Sequence, residues 1–538
     1  MFSQTLVPLG SLWLTVAVAF VPLVILLLLL AGFRLTAWLA TLLAGVVTTG
    51  LAVLVWHAPP GLVARAYVYG GLQGVWAVDW ITFWGLMIFN TLVLTGDFER
   101  FKTWLVHHAT SDVRIQTLML AWAFGALLEG LVGFGYPWAV IAPILIGLGV
   151  ADLDAIRVAA LANNAPVSYG ALGSPIIALA AVTGLPLLAL SASVGHIVAV
   201  LALLPPWVLL YLVSGAEGLK EAWPLAIVGS LSYIAGQWPV ARYLGPYLPD
   251  ITGALMSFWI LFAFIKVWRP RTIRGFGGVS LVRSMGAQAA MEAPPIDTAS
   301  AMRAWMPYVV LVLVVVSWTG PWSHLPDYSL LKLSVQRVSS ITQKPEASTF
   351  NLNPLGPGTA ILTSWLIILA LFRPGTDVVK QVFRRTWHQI WGALLVGFFI
   401  FGLAFAFVYS GMANSMAYGC SKVGLAFIVL APILGWVGVA LSGSNTSTNA
   451  MFGPVQAVTG RLLNLPPMLL PSFNSVGAEV GKPIAPQTAS VGVSTSRFVR
   501  SEGDVIRHNM GWTLIVLGYL ILIAIAFYVF APHLMDVG

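Results

Sequence analysis

Long apolar windows, each closed by a charged or a glycine- and proline-rich stretch, run through the whole chain. The first, LWLTVAVAFVPLVILLLLLAGF at 12–33, exceeds the roughly 20 apolar residues that cross a bilayer. Bracketing such windows by charge predicts about twelve full spans. They lie near 11–33, 35–57, 80–96, 158–181, 189–213, 222–241, 247–268, 304–319, 357–373, 391–410, 471–495 and 511–531. Two further apolar segments, 115–150 and 423–464, are too interrupted by glycine, proline and polar residues to be simple spans, and each predicts a re-entrant hairpin. The predicted fold class is an all-α polytopic membrane protein.

Composition agrees with this pattern. Hydrophobic residues make up 58% of the chain and charged residues 9%, against about 25% charged in soluble domains. The opening MFSQTLVPLGS has no basic n-region, so the first window reads as a span and not a signal peptide. The formal charge of +8 is spread over short loops between spans, which marks topology and not a nucleic-acid partner. The single cysteine, Cys420, excludes an intrachain disulfide and a cysteine-rich metal site. No nucleotide-binding or zinc-protease motif stands in a fitting context, so neither cofactor nor metal is expected.

Lys and Arg set the orientation. The loop 266–303 carries Lys266, Arg269, Arg271, Arg274, Arg283 and Arg303, and the loop 373–390 carries Arg373, Lys380, Arg384 and Arg385. Both are expected in the cytoplasm, with the loops around Arg100, Lys102 and Arg114 and around Arg497, Arg500 and Arg507. The long loop 320–356 and both chain ends then fall outside. This holds if one hairpin enters from the cytoplasm and the other from outside. Non-helical backbone at membrane depth is tolerated only where protein buries it or it lines a cavity.

The two halves repeat. EGLVGFGYP (129–137) is followed by NNAPVSYGALGSP (163–175), and SGSNTSTNAMFGP (442–454) by NSVGAEVGKPIAPQ (474–487). Gly133 to Asn164 and Gly443 to Asn474 are each 31 positions (164 − 133 and 474 − 443). The expected organisation is a first inverted repeat at 1–213, two connecting spans with a basic loop at 214–303, and a second repeat at 304–538. Inverted repeats with broken helices are a design of secondary transporters, which bind cargo near the bilayer midplane.

Chemistry is expected at the tips and the broken spans. Ser442, Gly443, Ser444, Asn445 and Thr446 open a run of eight small or polar residues at a helix start. Free N–H groups and the helix dipole suit an anion there; helix capping is the plainer use of the same hydroxyls. The other tip has Gly133, Phe134 and Gly135, with Glu129 just before it. A carboxyl at membrane depth marks a pathway or proton relay, so Glu129 is the candidate for proton coupling. Asn163, Asn164, Ser168, Tyr169 and Ser174 are candidates to line the site from the first broken span, and Asn474, Lys482 and Gln487 from the second. A buried Lys482 needs an anion, either a bound carboxylate or Glu479 three residues before it. His196 stands alone in SVGHIVAV as an accessory candidate.

At these residues the chain resembles the L-lactate permease family. GALLEGLVGFGYPWAV, NNAPVSYGALGSPI, LPDITGALMSFWILFAFIKVWRP, GWVGVALSGSNTSTNAMFG and GKPIAPQTASVG match its segments in character and order. The resemblance implies import of L-lactate, and often glycolate, with protons across a prokaryotic cell membrane. The chain is more distantly similar to the ion-transporter superfamily, whose SNT-type tips contact carboxylates, and Ser444-Asn445-Thr446 matches that motif. That similarity implies a scaffold and a mobile transport domain, working as an elevator-type homodimer. Three departures stand out: Asn445 where the family commonly has Asp, His196 where it has Arg, and Tyr136 where it has a small residue. A sodium-coupled carrier of another organic acid is the alternative; a channel or a membrane-embedded enzyme is the alternative from another class.

Overall fold

Apolar helices form because backbone polar groups in lipid must be satisfied within the segment. The computed structural model is built almost wholly from them and describes residues 2–108, 111–133, 135–280, 298–326, 328–493 and 502–536. Phe134, Arg283, Arg497 and Arg500 lie outside these residues. Among the described residues nine helical stretches are long and apolar enough to cross a membrane, or ten if one bent pair counts as a span.

The chain begins with α1 (Leu12–Gly32), α2 (Ala37–Leu54), α3 (Pro60–Leu94) and α4 (Asp97–His108). The hairpin arms α5 (113–131) and α6 (Tyr136–Gly147) follow, then α7 (Asp152–Ala162) and α8 (Gly170–Thr183). Next come α9 (Leu187–Leu201), α10 (Pro205–Tyr243), α11 (Pro249–Val267) and α12 (Thr298–Thr319). Strands β1 (Lys332–Val338) and β2 (Pro345–Asn351) pair antiparallel, with Lys332 opposite Asn351. The remainder is α13 (Pro357–Phe372), α14 (Thr376–Ser410), α15 (Met412–Ser421), α16 (Phe427–Ser442), α17 (Asn445–Leu462), α18 (Leu469–Gly481), α19 (Pro486–Val493) and α20 (Glu502–Phe530).

Helix α3 begins 20 residues before the span expected at 80–96. Its first half contains YGGLQG, which lowers hydropathy but packs tightly. A side chain at Gly70 would strike the carbonyl of Phe401, and one at Gly74 would sit 2.7 Å from the carbonyl of Gly397. Small residues let helix backbones approach in this way. Helix α10 is broken at Gly215, whose φ of 69° is left-handed.

Each segment expected to form a hairpin is a helix–tip–helix unit, and Gly424–Ser442, which opens the second, is itself long and apolar enough to cross a membrane. Gly133 (φ 66°) and Gly135 (φ 74°) turn the first, and Gly443 (φ 74°) turns the second. Each hairpin is followed by an interrupted helix pair. The segments Asp152–Ala162 and Val167–Thr183 are bent by 65°, while α18 and α19 are separated by a 3-10 turn, Lys482–Ile484. In the first break Ala171 (φ 46°) and Leu172 (φ 58°) adopt left-handed backbone, which costs roughly 1–2 kcal/mol per residue.

Contacts between halves are reciprocal. α1 packs on α15 and α12 on α4; α2 packs on α14 and α13 on α3; α8 packs on α17 and α6 on α19. Each hairpin arm thus lies against the broken span of the other half. Tip residues and helix breaks are thereby brought to one place.

Candidate functional site

Glu129 stands on the last turn of α5, and Lys482 opens the turn between α18 and α19. Lys482 Nζ donates to Glu129 Oε1 at 2.6 Å, while Asn163 Nδ2 donates to Glu129 Oε2 at 2.9 Å. The two charged residues are 1% and 6% exposed. Gly170 makes room for them, since a Cβ there would lie 2.7 Å from Glu129 Oε1. The partner of Lys482 is therefore Glu129, from the other half of the chain, and not its helix neighbour Glu479. Glu479 Oε2 instead accepts from the backbone N–H of Ser168 at 3.0 Å.

The ion pair faces a cavity of about 510 Å³. Of the residues expected at the site, Glu129, Gly133, Ser174, Ser442, Gly443, Ser444, Asn445, Thr446, Lys482 and Gln487 line it. At the second tip, Ser444 caps α17 by accepting from the N–H of Ser447 at 3.2 Å. Ser442 and Thr448 hydroxyls bond at 3.0 Å. Asn445 donates through Nδ2 to the carbonyl of Ser475 at 3.2 Å, and its Oδ1 has no partner. Thr446 reaches the Ser174 hydroxyl at 3.5 Å, which joins the second tip to the first broken span. Gln487 lies beside Gly443, where a Cβ would meet its Oε1 at 2.5 Å.

Other expected residues stand behind the cavity wall. Asn163 orients Glu129, and Ser168 holds Glu479. Asn164 is 1% exposed with neither amide atom partnered. Tyr169 donates to the carbonyl of Ser191 at 2.6 Å. Asn474 donates to Asn449 Oδ1 at 3.0 Å, and Asn449 in turn donates to the carbonyl of Pro175 at 3.0 Å. Gly135 packs on Thr488, and Tyr136 meets the ring of Phe89 edge-on at 4.7 Å. His196 is remote: its Nε2 lies 3.0 Å from Arg242 Nη1.

One charged residue lining the cavity was not anticipated. Asp79 projects from α3 with Oδ2 unpartnered and only 7% of its surface exposed. It sits at the end of a π-helical turn, Val75–Asp79, a feature that recurs at functional sites. Gly397 on α14 leaves space for its carboxyl. The signal was a lone acid in GVWAVDWITFWG, visible once α3 is read as continuing back through the glycines.

The arrangement suits a small anion. Lys482 supplies the positive charge, the start of α17 supplies free N–H groups, and the hydroxyls and amides of the tip supply uncharged partners. Among the described residues no grouping of three His, Cys, Asp or Glu is placed to hold a metal.

A family model described as L-lactate permease matches residues 15–534. Glycolate permease GlcA of Escherichia coli K12 is 33% identical, covering 99% of this chain and 100% of that protein. The L-lactate permeases of Salmonella typhimurium and Bacillus subtilis 168 are each 30% identical, covering 96% of either chain. Among solved structures, the Alcanivorax borkumensis YdaH transporter aligns over 88% of both chains at 15% identity and a TM-score of 0.46.

Proposed function

Because this chain belongs to the L-lactate permease family, we propose that it imports L-lactate or glycolate by proton symport across a prokaryotic cytoplasmic membrane. The observation that carries this reading is the buried Glu129–Lys482 pair at the wall of the cavity between the hairpin tips. The substrate carboxylate takes the place of Glu129 at Lys482. Glu129, released from its cation in a low-dielectric setting, then takes a proton.

Charge is conserved by this exchange. The empty site holds Lys482⁺ and Glu129⁻; the loaded site holds Lys482⁺, the bound carboxylate and neutral Glu129. Both are neutral overall. A site with anion but no proton, or proton but no anion, would bury an unpaired charge at several kcal/mol. At this pair only the two neutral forms cross readily, and that ties substrate to proton.

The organisation that fits this cycle is a pair of inverted repeats, 1–213 and 304–538, joined by 214–303. The reciprocal packing of the two halves supports it. In this division α1–α4 and α12–α15 make a scaffold, and the hairpins with the broken spans make a core that moves against it in a homodimer.

Sealed liposomes containing the purified protein test the proposal. Uptake of labelled L-lactate and glycolate is expected under an inward proton gradient and not under a sodium gradient alone. Glu129→Gln is expected to lose net proton-driven uptake while retaining some exchange of labelled for unlabelled substrate. Uptake driven only by sodium would replace the proton by sodium and leave the carrier assignment intact.

A further inference from the structure

Behind the Glu129–Lys482 pair lies a second acidic group that the proposed cycle does not use. Glu479 is fully buried, with Oε2 on the Ser168 N–H and Oε1 unpartnered. Asp250, at the start of α11, is 1% exposed; its Oδ1 accepts from Tyr233 Oη at 3.0 Å and its Oδ2 is unpartnered. Asp250 packs against Gly130, the residue next to Glu129, where a Cβ would lie 2.8 Å from Asp250 Cβ. Asp250 feels the charges of Glu479, Glu129 and Lys482, and Glu479 those of Glu129 and Lys482.

Uncharged groups around them are also unsatisfied. Gln237, one helical turn from Tyr233, is fully buried and has no partner on either amide atom. It packs with Tyr233 against Gly253, one turn from Asp250, and its Nε2 approaches Gly195 beside the Tyr169 hydroxyl. Asn164 is likewise buried with both amide atoms free, and the Ser168 hydroxyl and Asn163 Oδ1 are free as well. Buried polar groups in native proteins are nearly always bonded. Their concentration here, in one region connected to Glu129 through Asn163, marks a place built to hold something exchangeable.

Three buried carboxyls share one ammonium, which Glu129 already occupies. The other titratable groups facing the pair are Tyr169 and Tyr233. Helices α8 and α16, packed near Glu479, have no ionisable residue, and His196 on α9 is engaged by Arg242. Two acids with no cation cannot both be charged in this setting. One charge between them is tolerable, because the Tyr233 hydroxyl donates to Asp250 and the Ser168 N–H to Glu479.

We propose that Glu479 and Asp250 together form a second proton-binding site within the core, so that two protons accompany each carboxylate. This rests on the proton-symport reading above. The pair carries one proton when the substrate site is empty and two when it is loaded. The route to the cavity runs by Ser168, Asn164 and Asn163 to Glu129. Each turnover then moves one net positive charge inward.

The test is the thermodynamic accumulation ratio of labelled L-lactate or glycolate in sealed liposomes at equal pH, with valinomycin and a potassium gradient setting the voltage. A roughly tenfold outward potassium gradient is expected to raise the wild-type ratio about tenfold, the factor for one charge. At zero voltage and a fixed pH gradient, the double variant Glu479→Gln/Asp250→Asn, which removes both carboxyls, is expected to reduce the ratio to its square root and to abolish the response to voltage. Tyr233→Phe, which removes only a donor to Asp250, is expected to shift the voltage response to higher pH. Wild-type uptake that follows pH but ignores voltage overturns the second site and leaves the Glu129 cycle standing. A voltage response that survives in the double variant also overturns it, as does one that requires sodium. Absence of any pH-driven uptake removes both readings together.

Discussion

Lys482 Nζ and Glu129 Oε1 are 2.6 Å apart across 353 positions of sequence. They bind the second broken span to the first hairpin. Removing either partner leaves a buried charge, at a cost of roughly 3–5 kcal/mol. Thermal unfolding in detergent should show Glu129→Gln and Lys482→Met each strongly destabilised. The double variant is expected to recover most of that loss while remaining inactive in uptake. Additive losses would mean the pair does not act as a unit.

The second tip separates two roles on adjacent residues. Ser444 caps α17, so Ser444→Ala is expected to lower stability by about 1 kcal/mol. Asn445 keeps a free Oδ1 within reach of the cavity, so Asn445→Ala is expected to raise the apparent KM roughly tenfold with a smaller change in stability. Concentration dependence of initial uptake, beside melting curves of the same preparations, checks both. Equal KM values for wild type and Asn445→Ala would demote the tip to packing.

Accessibility offers a test independent of transport. Cys420 is the single cysteine, so a Cys420→Ser background is clean. Cysteine placed at Ser174 or Gln487, both lining the cavity, is expected to react with a small thiol reagent and to be protected by substrate. Cysteine at Asn474, fully buried in the Asn449 network, is expected to stay unreactive. Reaction at Asn474 with protection by substrate would move the site boundary inward.

The glycine face of α3 can be tested by bulk. Gly74 approaches Gly397 and Phe401 closely enough that Gly74→Leu has no room. Overpacking of this kind costs about 1–3 kcal/mol. Gly61, with open space around it, should accept alanine with little change in melting temperature. A Gly74→Leu protein as stable as wild type would mean α3 and α14 can separate.

Part of the candidate site was legible because several residues that break helices, among them Gly133, Gly443 and Lys482, also line the cavity. The GFG and SGSN turns, NNAPV and GKPIAP announce themselves by chemistry that apolar spans avoid. Pairing was not legible. Glu479, three residues from Lys482, was one of two expected partners beside a bound carboxylate, yet the helix points the carboxyl and ammonium groups toward different elements of the other half. Asp79 escaped for a different reason. Glycines at 70, 71 and 74 lower the hydropathy of its helix, although their function is contact with α14. The β-hairpin was hidden too, since Lys332–Asn351 falls in a polar loop with no strong alternation.

That hairpin also receives Phe2 and Gln4. The N–H of Gln4 donates to the carbonyl of Val338, and that of Val338 to the carbonyl of Phe2. The Gln4 side chain bonds the carbonyls of Val408 and Tyr409. Its Oε1 accepts from Asn414. Gln4 therefore waits for partners made some 400 residues later. Through most of synthesis α1 and α2 must rest in lipid without α14 and α15. A product interrupted before α14 is consequently not a smaller carrier but an unclosed one.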